Sequence, residues 1–184
     1  MKKYLNLILD ELRANVEYIE ETQMFELAKM IQKANHIFLT GKGRSGLSIS
    51  AFANRLLHLG YSVSVIGEIS APHTQEGDLL IIASGSGETD ALVSAAKKAK
   101  EEKVNLACLT MNPKSSIAQS ADLVIRIPGV SPKVKELSSI TSIQPMGSMF
   151  EQMIYLSMDA LVLQLMEETE MSSDEMFDNH ANIE

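Results

Sequence analysis

Cysteine is almost absent from this chain of 184 residues: Cys108 stands alone. No disulfide or metal is needed to hold a chain this long, because folding buries roughly 70% of the surface that the unfolded form exposes. Cys108 lies in the apolar run NLACLT and reads as a small hydrophobe inside a strand rather than as a catalytic thiol. Positive charge is also short, with 16 Lys and Arg against 24 Asp and Glu and a formal charge of −8. Such a chain repels polyanions, and no cluster of cations offsets this, so no nucleic-acid partner is expected. No stretch approaches the roughly 18 uninterrupted apolar residues of a membrane span. The opening MKKYLNLILDELRANVEYIEE turns acidic without an apolar core and small-residue cleavage site. The expectation is a cytoplasmic protein with no membrane partner. His, Cys, Asp and Glu nowhere cluster at metal-ligand spacing, so no metal is expected either.

What is present is patterned. Leu5, Ile8, Leu9, Leu12, Val16 and Ile19 recur at helical spacing, and Phe25, Leu27, Ala28 and Ile31 resume it after a polar break at 20–23, giving one broken helix or two. Strands are predicted at 36–39, 61–66, 79–83, 106–109 and 123–127, and helices at 45–59, 89–103 and 115–120. Strand and helix alternate, so the sheet should be parallel and covered on both faces: an α/β fold, a three-layer αβα sandwich on five strands. The stretch GVSPKVKELSSITSIQPMG, 129–147, reads as a long loop rich in Pro, Gly and Ser, of a length usually reserved for function. A last helix, 147–166, is apolar on most of its faces and must be buried, one side on its own sheet and the other on a second subunit. The whole chain, 1–184, reads as one domain with an N-terminal helical segment and a C-terminal tail.

Two loops carry the chemistry. LLIIASGSGETDAL runs from a buried strand into Ser84, Gly85, Ser86, Gly87, Glu88 and Thr89 and then into a helix. Free N–H groups and the positive end of the helix dipole face such a junction, and small hydroxyl side chains add donors, so phosphate is its natural guest. GKGRSG, with Gly41, Gly43 and Gly46, follows the first strand and matches a dinucleotide signature, with Glu68 where a ribose-binding acid belongs. Two such loops at neighbouring strand ends instead form one crevice, and a single phosphate held by both accounts for more of the sequence. The plainer alternative is that the glycines make turns and that Thr89 or Ser86 caps the next helix. Arg44 either pairs with a ligand oxygen or decorates the surface. Glu151, opening the apolar last helix, is either a functional carboxylate or a first-turn complement to the helix dipole. Tyr155 and Asp159 share its face at four-residue steps. His36, His58 and His73 read as structural or solvated, and His180 lies in a tail after a capping-box start at Ser172 and Glu175.

TGKGRSGLSISAFANRLLHLGYSVSVIGE, SGSGET, SIQPMGSMFEQ and the terminal HANIE resemble the sugar isomerase (SIS) family and, within it, the 6-phospho-3-hexuloisomerases. The resemblance covers nearly the whole chain. It implies the SIS fold, a homotetramer, and cofactor-free interconversion of D-arabino-3-hexulose 6-phosphate and D-fructose 6-phosphate, the second step of formaldehyde fixation in the ribulose monophosphate pathway. Carried over, Ser45 and the loop Ser84, Gly85, Ser86, Gly87, Glu88 and Thr89 hold the sugar phosphate, with Arg44 beside them. Glu151 falls on the proposed catalytic base and His180 on a histidine that reaches a neighbouring subunit's site. Two positions depart from the pattern: Lys42 replaces a small residue and adds attraction for phosphate, and Asp90 stands where lysine is common and weakens it. Two other classes stay open: a sensor domain that binds sugar phosphate without catalysis, and a dinucleotide-binding protein. The sensor reading lacks a DNA-binding unit, which does not fit into the first thirty-odd residues.

Overall fold

The computed structural model describes residues 1–134 and 140–183. Its centre is a five-stranded sheet in the order β2-β1-β3-β4-β5, made of β1 (Ile37–Gly41), β2 (Val63–Val65), β3 (Leu79–Ala83), β4 (Asn105–Thr110) and β5 (Leu123–Arg126). Every pairing is parallel. The middle strands are continuous apolar runs because both of their faces are covered. Side chains alternate between two cores. Ile37, Leu39, Leu79, Ile81, Ala107 and Leu109 point to one, and Phe38, Leu80, Ile82, Leu106 and Cys108 to the other.

The first core is closed by α2 (Glu21–Lys33), α3 (Gly43–His58) and α6 (Ser148–Thr169), the second by α4 (Asp90–Glu101) and α5 (Ser116–Ser120). The three layers expected from the alternation of elements are therefore present. The broken N-terminal helix is α1 (Lys2–Ala14) followed by a 3-10 turn, Val16–Tyr18, and α2. α1 buries only Leu12 and leaves Tyr4, Leu5 and Leu9 exposed. After α6, α7 (Ser173–Asp178) begins with the capping box anticipated at Ser172 and Glu175.

Two expectations shift. The strand predicted at 61–66 shrinks to Val63–Val65, since it lies at the sheet edge and pairs with β1 alone over three residues. α6 runs on to Thr169, where Glu170 turns left-handed at φ +55° and ends it. Within the chain α6 is buried on one side only, and Tyr155, Leu156 and Leu163 are exposed. Of the long loop expected at 129–147, residues 135–139 lie outside the described residues. Among the described residues, no helix is long and apolar enough to cross a membrane.

Candidate active site

The chain leaves β1 toward β2 on one side and returns to β3 on the other, so the strand order reverses between β1 and β3. Crevices form at such switch points, beyond the carboxyl ends of the strands. Gly41 and Ala83, the last residues of β1 and β3, are in register, which sets the two glycine-rich loops side by side as expected. A Cβ on Gly41 would lie 2.9 Å from Gly46 N and 3.1 Å from Ala83 O. Gly41 and Gly46 thus let a strand end and a helix start pack closely, and Gly43 adopts φ +58° at the turn between them, with no dinucleotide needed to account for them. Glu68, the candidate ribose acid, accepts a hydrogen bond from Val65 N in its own turn instead.

The crevice is a cleft of about 640 Å³ bounded by Lys42, Gly43, Arg44 and Ser45 after β1, by Ser84, Gly85, Ser86 and Thr89 after β3, and by Glu151 at the start of α6. The 84–89 loop is built largely from its own hydrogen bonds. Ser84 is buried, and its Oγ accepts from Gly87 N at 3.1 Å. Gly85 O accepts from Met111 N at 3.1 Å and Thr110 Oγ1 at 3.2 Å, fastening the loop to the end of β4. Gly87 adopts φ +68°, and a Cβ there would fall 1.9 Å from Ser115 Oγ, so no side chain fits. Glu88 turns away from the cleft and accepts from Ser116 N at 2.8 Å and Ser116 Oγ at 2.7 Å. The Ser116 hydroxyl, then its amide, hold the Glu88 carboxyl below its ordinary range, against a small opposing effect of burial.

The expected cap of the following helix is not made. Thr89 occupies the N-cap position of α4, but its side chain accepts no capping bond, and Ser86 Oγ accepts from Glu88 N at 3.3 Å within the loop. Loop geometry aims these hydroxyls elsewhere: both residues line the cleft.

Glu151 sits in the first turn of α6 after Gly147 at the N-cap, and its side chain is 15% exposed. Arg44 Nε donates to Glu151 Oε2, so Arg44 neither stands alone at the surface nor is held for a ligand only. Ser48 Oγ donates to Glu151 O at 3.0 Å and ties α3 to the opening of α6. Two polar cleft residues escaped the sequence reading, Ser131 and Lys133, which follow β5. Their one signal was the SPK tripeptide inside the long loop, and nothing local shows that this loop returns to the phosphate side.

His180 is elsewhere. Its ring centroid lies 5.1 Å from that of His58 and 5.8 Å from that of Phe177, and its Nδ1 bonds to Ala181 O at 2.9 Å. His58 is the last residue of α3, and Arg44 is near its first. A 16-residue helix is ~24 Å long, so His180 does not meet the cleft of its own chain. Burial, then the positive Arg55, then His180, lower the pKa of His58. Cys108 is fully buried in β4, where burial pushes its thiol up to about 12, so it is no nucleophile.

The SIS domain family model matches residues 30–156, from the end of α2 into α6. A 3-hexulose-6-phosphate isomerase of Bacillus subtilis (strain 168) is 48% identical over 99% of this chain and 98% of its own length. One from Mycobacterium gastri is 37% identical over 98% of this chain and 89% of its own. A Methanococcus jannaschii protein, whose crystal structure was taken to infer a molecular function of 3-hexulose-6-phosphate isomerase, superposes with a TM-score of 0.82 at 29% identity, over 99% of both chains. The hydroxyl-lined loop facing a carboxylate-bearing helix across the switch point of a parallel sheet thus has relatives matched almost end to end, and the chain belongs to the SIS domain family.

Proposed function

We propose that this chain is a 6-phospho-3-hexuloisomerase, interconverting D-arabino-3-hexulose 6-phosphate and D-fructose 6-phosphate in the cytoplasm as the second step of formaldehyde fixation. The observation that carries this reading is Glu151: a mostly buried carboxylate, oriented by Arg44, in the same cleft as the 84–89 hydroxyl loop. A sensor of sugar phosphates needs the loop but not the carboxylate. The phosphate binds at Ser45, Ser84, Gly85, Ser86 and Thr89, with Gly87 and Glu88 shaping the loop, and Lys42 and Lys133 bring positive charge to the cleft of an otherwise acidic chain. Held at this remote end, the sugar presents carbons 2 and 3 to Glu151.

The reaction is proton transfer. Glu151 removes the proton on carbon 2, the bonding pair forms the carbon 2–carbon 3 double bond, and the carbonyl pair moves to oxygen 3, which takes a proton. The 2,3-enediol then loses the proton on oxygen 2, the carbonyl forms at carbon 2, and Glu151, whose carboxyl proton exchanges with solvent while the enediol is held, returns a proton to carbon 3. One carboxylate serves both carbons because they are adjacent on one face. His180 shuttles the proton between the oxygens, reaching the cleft of a neighbouring subunit in a homotetramer. That assembly is supported by the apolar groove of about 920 Å³ between α1, the 3-10 turn, α2 and α6, lined by Leu9, Val16, Phe25 and Leu156, all at least half or nearly half exposed. Residues 1–184 are read as one domain. Incubation with fructose 6-phosphate in heavy water tests the reading: solvent deuterium at carbon 3 of recovered substrate is expected, and its absence removes the isomerase.

A further inference from the structure

Glu11 of α1 lies outside the cleft, yet its carboxylate grips the segment that leads into it. Oε1 accepts from Ser142 Oγ at 2.7 Å and from Gln144 Nε2 at 3.0 Å, and Oε2 accepts from Ile143 N at 2.7 Å. Gln144 N donates in turn to Ser142 Oγ at 3.1 Å, so three consecutive residues are organised around one carboxylate. Burial pushes the Glu11 carboxyl up, but the bonds from Ile143, Ser142 and Gln144 outweigh it and leave the group below its ordinary value. Directly after this clamp come Pro145, Met146, Gly147 and Ser148, all lining the cleft, and then Glu151.

Between Ile140, which packs on the core, and the buried Met149, the exposed residues of this path depend on the clamp. Ile143 is 66% and Met146 76% exposed, so no apolar burial anchors them. Met146 holds φ +57°, a left-handed conformation that a non-glycine residue adopts only where its surroundings impose it. Among the described residues, the backbone bond closing the turn is Ser148 N to Pro145 O at 3.2 Å. We propose that Glu11 is a positioning residue: by clamping 142–144 it sets the cleft wall, 145–148, that leads into the first turn of α6 and so the approach of the substrate to Glu151. The proposal rests on the isomerase reading, since it assigns the clamp to the approach of substrate to that reading's base.

The test is Glu11→Ala, assayed well below its thermal midpoint. Misplacing a reacting group by about an ångström costs up to about 100-fold in rate. A fall in kcat of about 10–100-fold is therefore expected, with competitive inhibition by inorganic phosphate, which reports the 84–89 loop, unchanged. Hydrogen exchange at the Ile143 amide should accelerate while the amides of β3 keep their protection. Glu11→Gln, with one acceptor oxygen left, should fall between the two proteins. A folded Glu11→Ala protein with parental kcat, or with parental exchange at Ile143, overturns the proposal. Should that variant fail to fold, Ser142→Ala combined with Gln144→Ala removes both side-chain donors and leaves the Ile143 amide alone on the carboxylate, and parental kcat together with parental exchange at Ile143 there overturns it. The exchange measurement needs no turnover. An inactive parent protein would therefore defeat the isomerase reading while the clamp is still judged on its own.

Discussion

The two ends of α3 carry polar residues of similar kinds and use them in opposite ways. At the Gly43 end, Arg44, Ser45 and the facing Glu151 converge on open space, and the neighbouring hydroxyls of Ser86 and Thr89 line the same cleft. At the His58 end, Arg55, His58, Asn179, Phe177 and His180 close on one another. Arg55 Nη1 lies 3.2 Å from His58 Nδ1, Asn179 Nδ2 donates to His58 O at 2.9 Å, and the His180 ring stacks on Phe177 and lies tilted against His58. Both ends are well ordered by hydrogen bonds. At the first the groups face a cleft large enough for a ligand, at the second they bond and pack on one another, and this separates a site from a well-made joint more reliably than residue type does.

The comparison breaks most visibly at Glu151. Glu151→Gln keeps the shape and can still accept from Arg44, but it cannot take a carbon-bound proton, so turnover should fall about 10²–10⁴-fold with little change in thermal midpoint. Mixing inactive Glu151→Gln subunits with His180→Ala subunits, each purified, unfolded and refolded together, should recover activity, because some mixed sites then hold both intact groups. No recovery would confine His180 to the joint where it is seen. A smaller effect is expected at the loop. Thr89→Val and Ser86→Ala each remove a hydroxyl that lines the cleft, and the loss of one donor to a charged phosphate, roughly 1.5–3 kcal/mol, should appear as a raised KM with kcat retained. Ser84→Ala is a less clean probe, since Ser84 Oγ also supports Gly87 N.

The smallest effect belongs to the far end. His58 has a lowered pKa in the folded chain, so the unfolded chain binds more protons below the ordinary value of 6.5. The contribution is therefore full above that value and is lost as pH falls from it through the lowered folded value. The thermal midpoint should accordingly decline as pH falls below the ordinary histidine value, and His58→Gln should flatten the decline. A midpoint indifferent to acid would remove His58 as its source.

Much of the frame is visible in the residues themselves. β3 falls where its run of five apolar residues begins and ends, and the two glycine-rich loops meet because alternation makes the sheet parallel. Glu151 stands out as a carboxylate in an apolar helix. Its partner does not: Arg44 is 107 residues away, and nothing local distinguishes it from a surface arginine. The Glu11 clamp spans 131 residues and more, and Lys133 reaches the cleft only through the path of a loop. Thr89 shows the converse error. Local chemistry favours a cap there, and loop geometry fixed by Gly85, Gly87 and β4 turns the hydroxyl away from it.

Cys108, fully enclosed in the sheet, gives the chain a built-in stopwatch. A thiol reagent added to the folded protein has nothing to react with until β4 parts from its neighbours, and no second sulfhydryl competes for it. The rate of its modification therefore counts openings of the central sheet one molecule at a time, so that the long-term survival of the fold can be read without following catalysis.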